Sequence, residues 1–303
     1  MKIRTVLSIS AILSAVSCGA GSKFDPNGGY STHIGDNTGE GTVSETVHGE
    51  LKADGNSSNT YALIGNAGYI CAETPDLCGV HTSTKHITQS YDATLSRYVF
   101  DFHIHIDEDD DRGHTDITDR QRNEIKTDSK SPADMRAKDN ETLRMSWYFK
   151  LPLGMKTTSS FCHVHQLKGI GSDSSVSTPL ITLSCRSKNG GQVFQVIGRE
   201  EPTSSSNEYL CNDINLQEFL GEWIKAVETA TFSTNGEYKL VLTRVRDGKV
   251  LVNLTTTRNF VRSTHPGYRP KWGIYRSFGA NGSMKPQLRD ETVQFADFKI
   301  EKL

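Results

Sequence analysis

The sequence lacks a hydrophobic run long enough to cross a membrane. Its longest apolar stretch, residues 6–16, is well short of the roughly 20 residues that a transmembrane helix needs. It also lacks a charge excess, because 34 Lys and Arg stand against 36 Asp and Glu. A surface that collects nucleic acid by charge alone is therefore not expected. With only 9 Pro in 303 residues and 35% hydrophobic side chains, the composition excludes a disordered chain and predicts a globular protein.

The first residues predict export. Lys2 and Arg4 precede the apolar residues 6–16, and small residues follow, as in a secretory signal peptide over residues 1–17. Ala-Val-Ser-Cys at residues 15–18 resembles the bacterial lipoprotein cleavage box, in which the cysteine becomes the lipidated first residue, although Ala15 stands where Leu is usual. We expect a secreted protein or a cell-surface protein anchored through a lipid on Cys18, and both remain open.

Few cysteines follow the predicted signal peptide, and their number is odd: Cys71, Cys78, Cys162, Cys185 and Cys211. Disulfides form in exported proteins, and Cys71–Cys78 and Cys185–Cys211 are the plausible pairs, although sequence alone does not establish connectivity. None of the spacings matches the CxxC of a zinc site, so we interpret the cysteines as structural.

Turn residues separate strand-like segments along most of the chain. Residues 18–59 are rich in Gly, Ser, Thr, Asn and Asp and predict a flexible tether before a domain at residues 60–303. Within that domain, alternating or β-branched segments predict strands. They are residues 97–106, 120–127, 142–151, 161–168, 180–186, 192–197, 238–246, 249–256, 271–277 and 292–301.

Helical periodicity is scarce. The one predicted helix is Asn215–Lys225, and residues 226–233 after it favour an extended conformation again. Ten or more strands without alternating helices predict an all-β fold, an antiparallel β-sandwich in a single domain.

One predicted strand carries four charged side chains at a spacing of two: Arg120, Arg122, Glu124 and Lys126. Residues at this spacing lie on one face of a strand, which either binds a charged ligand or lies in water. The preceding loop, residues 107–119, holds seven acidic residues. Oxygen ligation of a structural Ca²⁺ by Asp107, Asp109 and Asp111 is one interpretation of this loop, and a solvated acidic loop is the other.

Histidines also occur in pairs at a spacing of two, as His103 with His105 and His163 with His165. Such pairs are difficult to explain by packing, because a buried imidazole needs a hydrogen-bonding partner. Neutral histidine is a proton acceptor near pH 7. The four imidazoles therefore predict a concave sheet lined by proton acceptors, and zinc ligation by the four is the less favoured alternative.

A third segment joins a glycine to a tyrosine among cations. Lys271, Gly273 and Tyr275 fall on one strand face, and a glycine in a strand often marks a close approach to the backbone. Positive charge from Lys271 and Arg276 favours the phenolate form of Tyr275, which suits proton transfer. The alternative is a tyrosine packed at a sheet edge.

Taken in order, the three segments resemble the signature strands of the β-jelly-roll polysaccharide lyases. The motifs are Arg-Asn-Glu-Ile-Lys at residues 122–126, His-Val-His at 163–165 and Lys-Trp-Gly-Ile-Tyr at 271–275. Alginate lyases of this fold have Gln-Ile-His in the middle strand, so His163 is a departure. Neighbouring segments such as HVHQLK and KWGIYR look closer to ulvan lyases and glucuronan lyases. The resemblance covers about residues 80 to 300.

The resemblance implies a jelly roll whose concave sheet binds an anionic, uronate-containing polysaccharide and cleaves it by β-elimination without a required cofactor. That chemistry needs donors to neutralise the uronate carboxylate, a base at sugar carbon 5 and an acid at the glycosidic oxygen. For the carboxylate, the resemblance implies Arg122 and Gln166, with Asn123 as an additional donor. Tyr275 is the implied acid and a candidate base, with His165 as the alternative base and His105 as a weaker one. The remaining substrate-binding candidates are His163, Glu124, Lys126, Lys271 and Arg276.

The sequence leaves several substrates and several function classes open, and it ranks them. Ulvan comes first, glucuronan close behind and alginate third, and the bacterial-type signal with its lipoprotein box is what favours ulvan. The sequence does not distinguish a sulfated neighbouring sugar from an unsulfated one. A non-catalytic glycan-binding sandwich, anchored as a lipoprotein, is the second class. A jelly-roll glycoside hydrolase is the third, but it needs two facing carboxylates, and Glu124 has no acidic partner at a spacing of two. The sequence carries no signal for an oligomeric state.

Overall fold

The computed structural model describes residues 49–171, 174–200, 208–262 and 266–303. The predicted signal peptide, Cys18 and the tether up to residue 48 lie outside the described residues. The other sequence predictions can be compared with the structure directly.

Fifteen strands make up most of the described chain. They are β1 (Glu50–Leu51), β2 (Ile70–Glu73), β3 (Ile87–Asp92), β4 (Arg97–Ile104), β5 (Arg120–Lys126), β6 (Thr142–Lys150), β7 (Cys162–Gly169), β8 (Ile181–Lys188), β9 (Gly191–Gly198), β10 (Glu208–Asn215), β11 (Trp223–Thr231), β12 (Gly236–Arg244), β13 (Val250–Arg258), β14 (Tyr268–Ser277) and β15 (Glu291–Lys302). Two short helices, α1 (Thr60–Asn66) and α2 (Ser174–Ser177), and several single 3₁₀ turns connect them. All ten predicted strands are present, with ends displaced by at most three residues.

The strands form two antiparallel sheets. One has the order β13-β12-β11-β6-β15-β4-β3, with β1 paired to β15, and the other has the order β10-β9-β8-β7-β14-β5-β2. Side chains that point inward from both sheets form the core, in which the indoles of Trp147 and Trp272 meet edge to face at 5.6 Å. The predicted all-β antiparallel sandwich is confirmed, and its seven-stranded sheet contains all three sequence motifs.

The predicted helix Asn215–Lys225 is wrong. Leu216–Glu218 forms one 3₁₀ turn, and β11 already begins at Trp223. The spacing of a helix face is present in Leu216, Phe219 and Leu220. These side chains are buried in the core, but the backbone that carries them is a turn and not a helix. Gly221, with φ of 74°, then turns the chain into the next strand.

The predicted tether ends earlier than residue 60. β1 pairs with β15, and the backbone N–H groups of Asp54 and Gly55 both donate to Oε1 of Gln89 at 2.8 Å. Residues 49–59 are therefore part of the sandwich. Composition did not predict this because a two-residue edge strand is held by its neighbour and not by its own sequence.

The predicted disulfides are absent among the cysteines at positions 71, 78, 162, 185 and 211. Cys185 on β8 and Cys211 on β10 are separated by β9, so they are two strand spacings apart, beyond the reach of a disulfide. The Cys78 thiol donates to the carbonyl oxygen of Ala72 at 3.2 Å. In the same described portion, no helix is long and apolar enough to span a membrane.

Candidate functional site

A cavity of about 510 Å³ lies over the outer face of the seven-stranded sheet. We call it the groove. Strands β5, β7, β8, β9 and β14 and the acidic loop contribute its walls, and its basic lining residues are Arg112, Arg120, Arg122, Lys168, Arg186 and Arg199. Among the described lining residues the only acidic one is Asp111. The groove is therefore suited to an anionic ligand although the whole chain is mildly acidic.

An irregularity in β7 decides which of its side chains reach the groove. His163 pairs with Ser184 on β8 while His165 pairs with Leu183, so β7 has one extra residue at this point. Val164 and His165 consequently both turn into the interior, and Gln166 returns to the groove. Such a bulge re-aims side chains in a way that strict alternation does not predict.

Gly273 allows β14 to lie against β5 beside this bulge. Its φ of 147° belongs to the region that side chains rarely adopt, and a Cβ there would overlap the carbonyl oxygen of Asn123. The close approach predicted at Gly273 is thus made by the neighbouring strand. The result is that Tyr275, two residues further along β14, faces His163 across the groove floor.

Tyr275 is held by two arginines. Its hydroxyl oxygen accepts a hydrogen bond from Arg120 at 2.9 Å, and the guanidinium of Arg122 lies 3.7 Å from its ring centroid. Burial nevertheless raises the pKa of Tyr275 above its ordinary value, outweighing both cations. The expected phenolate is therefore wrong, and near pH 7 Tyr275 is a neutral phenol able to donate a proton.

His163 has the properties of a proton acceptor. Its Nδ1 lies 2.5 Å from Oγ of Ser184, whose own hydroxyl donates to Thr182 at 3.3 Å. Ser184 therefore accepts from Nδ1–H, which leaves the lone pair on Nε2. Burial, together with nearby cations led by Arg186, lowers the pKa of His163 to about 3. The ring, stacked on Phe161 with centroids 4.8 Å apart, is neutral at pH 7.

His165, the alternative base, lies on the wrong side of the sheet. It is fully buried between Trp147 and Trp272, with ring centroids 4.6 and 5.3 Å away. Its Nε2 is 2.8 Å from a carboxylate oxygen of Glu228, which also accepts from the hydroxyl of Tyr238 at 2.8 Å. The prediction of a catalytic role for His165 is wrong, because no ligand in the groove can reach it.

The charged face of β5 forms a buried ionic network with Glu73 of β2. Arg122 donates from Nη1 to Glu73 at 3.0 Å and to Glu124 at 3.1 Å, and Lys271 donates to Glu124 at 2.9 Å and also to Glu73. Lys126 completes the network through Glu73 at 2.9 Å. Burial alone raises the pKa of Glu73, but the surrounding cations, first Lys271, hold it well below its ordinary value. The network is therefore a set of paired charges under the groove.

This network uses the donors that sequence analysis assigned to a substrate carboxylate. Arg122 also donates from Nε to Asp111 at 2.8 Å, and the amide of Gln166 donates to Glu124. Burial by itself would lower the pKa of Arg122. The carboxylates of Glu73, Glu124 and Asp111 outweigh burial and hold this pKa well above its ordinary value. Arg122 and Gln166 line the groove, but their donors are already bonded to protein carboxylates. We therefore interpret them as residues that position Tyr275 and hold the ionic network together, and not as the main donors to a substrate carboxylate.

Three other predicted ligands face away from the groove. The amide of Asn123 donates to the carbonyl oxygens of His86 and His103, both at 2.8 Å, and so links the two sheets. Arg276 is 1% exposed and donates from Nε to Oε1 of Gln121 at 2.7 Å. His105 does not line the cavity. None of the three lines the groove, and Asn123 and Arg276 are buried on the interior face, so the structure does not support them as substrate ligands.

Lys168 and Arg186 were missed as site residues. Lys168 follows Gln166 at a spacing of two, but the bulge hides this from a count that begins at His163. Burial, followed by repulsion from Lys271 and Arg122, lowers the pKa of Lys168 to about 7. Arg186 donates from Nη1 to the carbonyl oxygen of Ser159 at 3.2 Å, and its Nε has no partner among the described residues.

The predicted metal ligands do not converge. The Asp107 side chain is 82% exposed, whereas Asp109 is buried against histidines and Asp111 pairs with Arg122. The set of four imidazoles is also dispersed. His103 is bonded to Thr88 at 2.8 Å and to Thr292 at 2.9 Å, while His163 and His165 lie on opposite faces of β7.

Comparison with known proteins supports the fold. No protein-family model and no curated protein matches the chain. Among solved structures, a marine alginate lyase from Aplysia kurodai matches with a TM-score of 0.55 and 13% identity over 85% of this chain and 99% of that chain. An endo-β-1,4-glucuronan lyase from Trichoderma reesei matches with a TM-score of 0.46 and 11% identity over 73% and 89% of the chains. An alginate lyase from Pseudomonas aeruginosa matches with a TM-score of 0.46 and 14% identity over 71% and 86%. The similarity to the Aplysia enzyme shows that this chain has the jelly-roll fold found in polysaccharide lyases, as its three motifs predict.

Proposed function

We propose that the protein is a polysaccharide lyase that cleaves a uronate-containing anionic polymer by β-elimination. The observation that carries this proposal is the pairing of Tyr275 and His163, whose ring centroids are 5.9 Å apart in a groove lined by cations. At neutral pH Tyr275 keeps its proton and His163 keeps a lone pair, so each has the protonation state that an acid and a base require. A bound anionic polymer would offset the cations that lower the pKa of His163 and so make it a stronger base. The jelly-roll fold shared with the Aplysia alginate lyase supports the same conclusion.

In the proposed reaction, His163 removes the proton from carbon 5 of the uronate. A double bond then forms between carbons 4 and 5 as the bond from carbon 4 to the glycosidic oxygen breaks, and Tyr275 protonates that oxygen. The hydrogen bond from Arg120 fixes the Tyr275 hydroxyl and leaves its proton directed away from the guanidinium. The step leaves His163 as an imidazolium and Tyr275 as a phenolate, and proton exchange with water after product release returns both groups to their neutral forms.

The uronate carboxylate must be neutralised as carbon 5 loses its proton. We assign this role to Lys168 and Arg186, which line the groove and whose donors are less committed than those of Arg122. Preorganised donors in a partly buried site stabilise developing negative charge more strongly than water does.

For the substrate we propose ulvan first, glucuronan second and alginate third. The amino-acid sequences of the motifs around His163 and Tyr275 favour ulvan and glucuronan. The groove also has more cations than one carboxylate requires, which suits a polymer carrying a sulfate on the neighbouring sugar.

We further propose that the protein is exported, as a secreted protein or through a lipid on Cys18. Metabolic labelling with a fatty acid, compared with Cys18→Ala, tests the anchor.

The test is to follow the ultraviolet absorbance of the unsaturated uronate product on ulvan, glucuronan and alginate separately. Tyr275→Phe is the variant, and Tyr91→Phe, which changes a 61% exposed tyrosine on the other sheet, is the matched control. We expect absorbance to rise with time on one polymer. The rate of this rise should fall about 10²- to 10⁴-fold in Tyr275→Phe and should be unchanged in the control. No absorbance rise and no new reducing ends on any polymer, with binding retained, would instead support a glycan-binding sandwich.

A further inference from the structure

Three histidines and one aspartate that do not line the groove converge: His81, His86, His105 and Asp109. We call them the histidine cluster. One potential ligand atom from each lies within 4.8 Å of all the others. The three imidazoles meet edge to face, with ring centroids 4.8 to 5.2 Å apart, so their ring nitrogens are turned toward a common centre.

Several distances within the histidine cluster are close to the edge of a tetrahedron around a zinc ion, and all its ligand atoms lie within 4.8 Å of one another. Zn–N bonds of about 2.0–2.1 Å in tetrahedral geometry place neighbouring ligand atoms about 3.3 Å apart. Asp109 Oδ1 lies 2.8 Å from His86 Nε2 and 3.2 Å from His81 Nδ1. His105 Nδ1 lies 3.3 Å from both His86 Nε2 and Asp109 Oδ2. Three imidazoles with one carboxylate form a donor set typical of zinc.

A second layer of polar groups fixes the ligands. The other nitrogen of His86, Nδ1, lies 3.1 Å from Asp76, whose carboxylate accepts the hydroxyl of Tyr61 at 2.8 Å. Zinc-binding histidines commonly donate their second N–H to a carboxylate in this way, which sets the tautomer that leaves Nε2 for the metal. Gln121 also holds the backbone of the cluster, because its amide donates to the carbonyl oxygens of His105 and Asp109.

We propose that the histidine cluster is a structural zinc site that fastens the acidic loop to the sandwich. His81 and His86 precede β3, whereas His105 and Asp109 follow β4 in the acidic loop, so one ion would join two separate segments. The same loop carries Asp111, which bonds Arg122 beneath Tyr275, and the carbonyl oxygen of Asp110, which accepts the backbone N–H of Arg122 at 3.0 Å. The ion would therefore stabilise one wall of the groove without contacting the substrate.

The experiment measures metal binding by the full chain and does not depend on lyase activity. Protein stripped with a chelator and dialysed is titrated with Co²⁺ and with Zn²⁺, followed by visible absorption, metal analysis and thermal unfolding. We expect one metal ion per chain, the visible absorption of tetrahedral Co²⁺ that Zn²⁺ displaces, and a rise in Tm with added Zn²⁺.

The variant His81→Gln removes one ligand at the rim of the cluster, where the side chain is 17% exposed and folding is least at risk. It should weaken Zn²⁺ binding at least ~10-fold. His114→Gln, in the same loop but outside the cluster, is the matched control and should bind like the original protein. The proposal is overturned if the unaltered chain gives no tetrahedral Co²⁺ spectrum, or if His81→Gln and His114→Gln bind Zn²⁺ equally well. Either result leaves the proposed lyase function untouched.

Discussion

His163 and His165 lie two residues apart on β7 but face opposite sides of the sheet. His163 presents an unprotonated nitrogen to a cationic groove, whereas His165 is enclosed by two tryptophans and bonded to Glu228. Both are polar residues in one motif, and their sequence spacing predicts the same role for both. The difference shows that hydrogen-bonding capacity left open to the groove, and not polarity alone, distinguishes a reacting group from a structural one.

Two cationic side chains, Arg276 and Lys168, show the same contrast between the interior and the groove. Arg276 has its Nε bonded to Gln121 between the sheets, while Lys168 reaches the groove from β7. Residues of the interior face are expected to affect stability, and residues of the groove face are expected to affect turnover and substrate binding. The following substitutions test this division of roles.

The largest effect is expected from exchanging the two histidines of β7 one at a time. His163→Asn should lower the turnover of the cleaved polymer about 10²-fold or more with little change in stability, because it removes the base. His165→Leu should lower the free energy of unfolding by about 3–5 kcal/mol, because it leaves the buried carboxylate of Glu228 with only the hydroxyl of Tyr238 as a partner. Initial rates and urea unfolding measure the two effects.

The double variant His165→Leu with Glu228→Leu is the control for this pair. Removing both partners of the buried pair should recover much of the stability lost in His165→Leu alone. If His165→Leu instead folds normally and loses turnover, His165 acts on the substrate, and the assignment of the two faces is incorrect.

A smaller effect is expected from the two cations. Lys168→Met should raise KM about tenfold by removing a charge-assisted hydrogen bond to the substrate, with unfolding unchanged. It should also lower kcat, because the same bond strengthens as carbon 5 loses its proton. Arg276→Met should leave KM unchanged and cost about 1–3 kcal/mol of stability, because Gln121 loses its donor. Equal KM values for the original chain and Lys168→Met would exclude Lys168 from substrate binding.

The smallest effect is a dependence of KM on pH. Since burial and neighbouring cations lower the pKa of Lys168 to about 7, this side chain is charged below that pH and becomes neutral above it. KM for the anionic polymer should therefore rise about threefold as pH increases through 7, the contribution of a partly exposed ion pair. In Lys168→Arg the charge persists at every pH tested, and the rise should disappear. A rise of the same size in this variant would assign the titration to another group.

The strands were accessible from sequence because alternation is a local property. A run such as residues 142–151 carries its own pattern of inward and outward side chains, and β6 follows it closely. The helix prediction at residues 215–225 failed for the converse reason, because Leu216, Phe219 and Leu220 reproduce a helical spacing within a turn. Local pattern cannot separate these cases without the contacts that bury the residues.

Sequence alone determined the class of the fold and the three motif strands, and it predicted the anionic ligand that we propose. These follow from residue type and spacing along single strands, which obey strand geometry wherever they lie. Tertiary structure decided which side chains meet. The bulge in β7 depends on register with β8 and β14, so it alone assigned His163 to the groove and His165 to the interior. Likewise, His81, His86, His105 and Asp109 come together only because loops from separate strands pack at one edge, a juxtaposition that spacing along the chain does not encode.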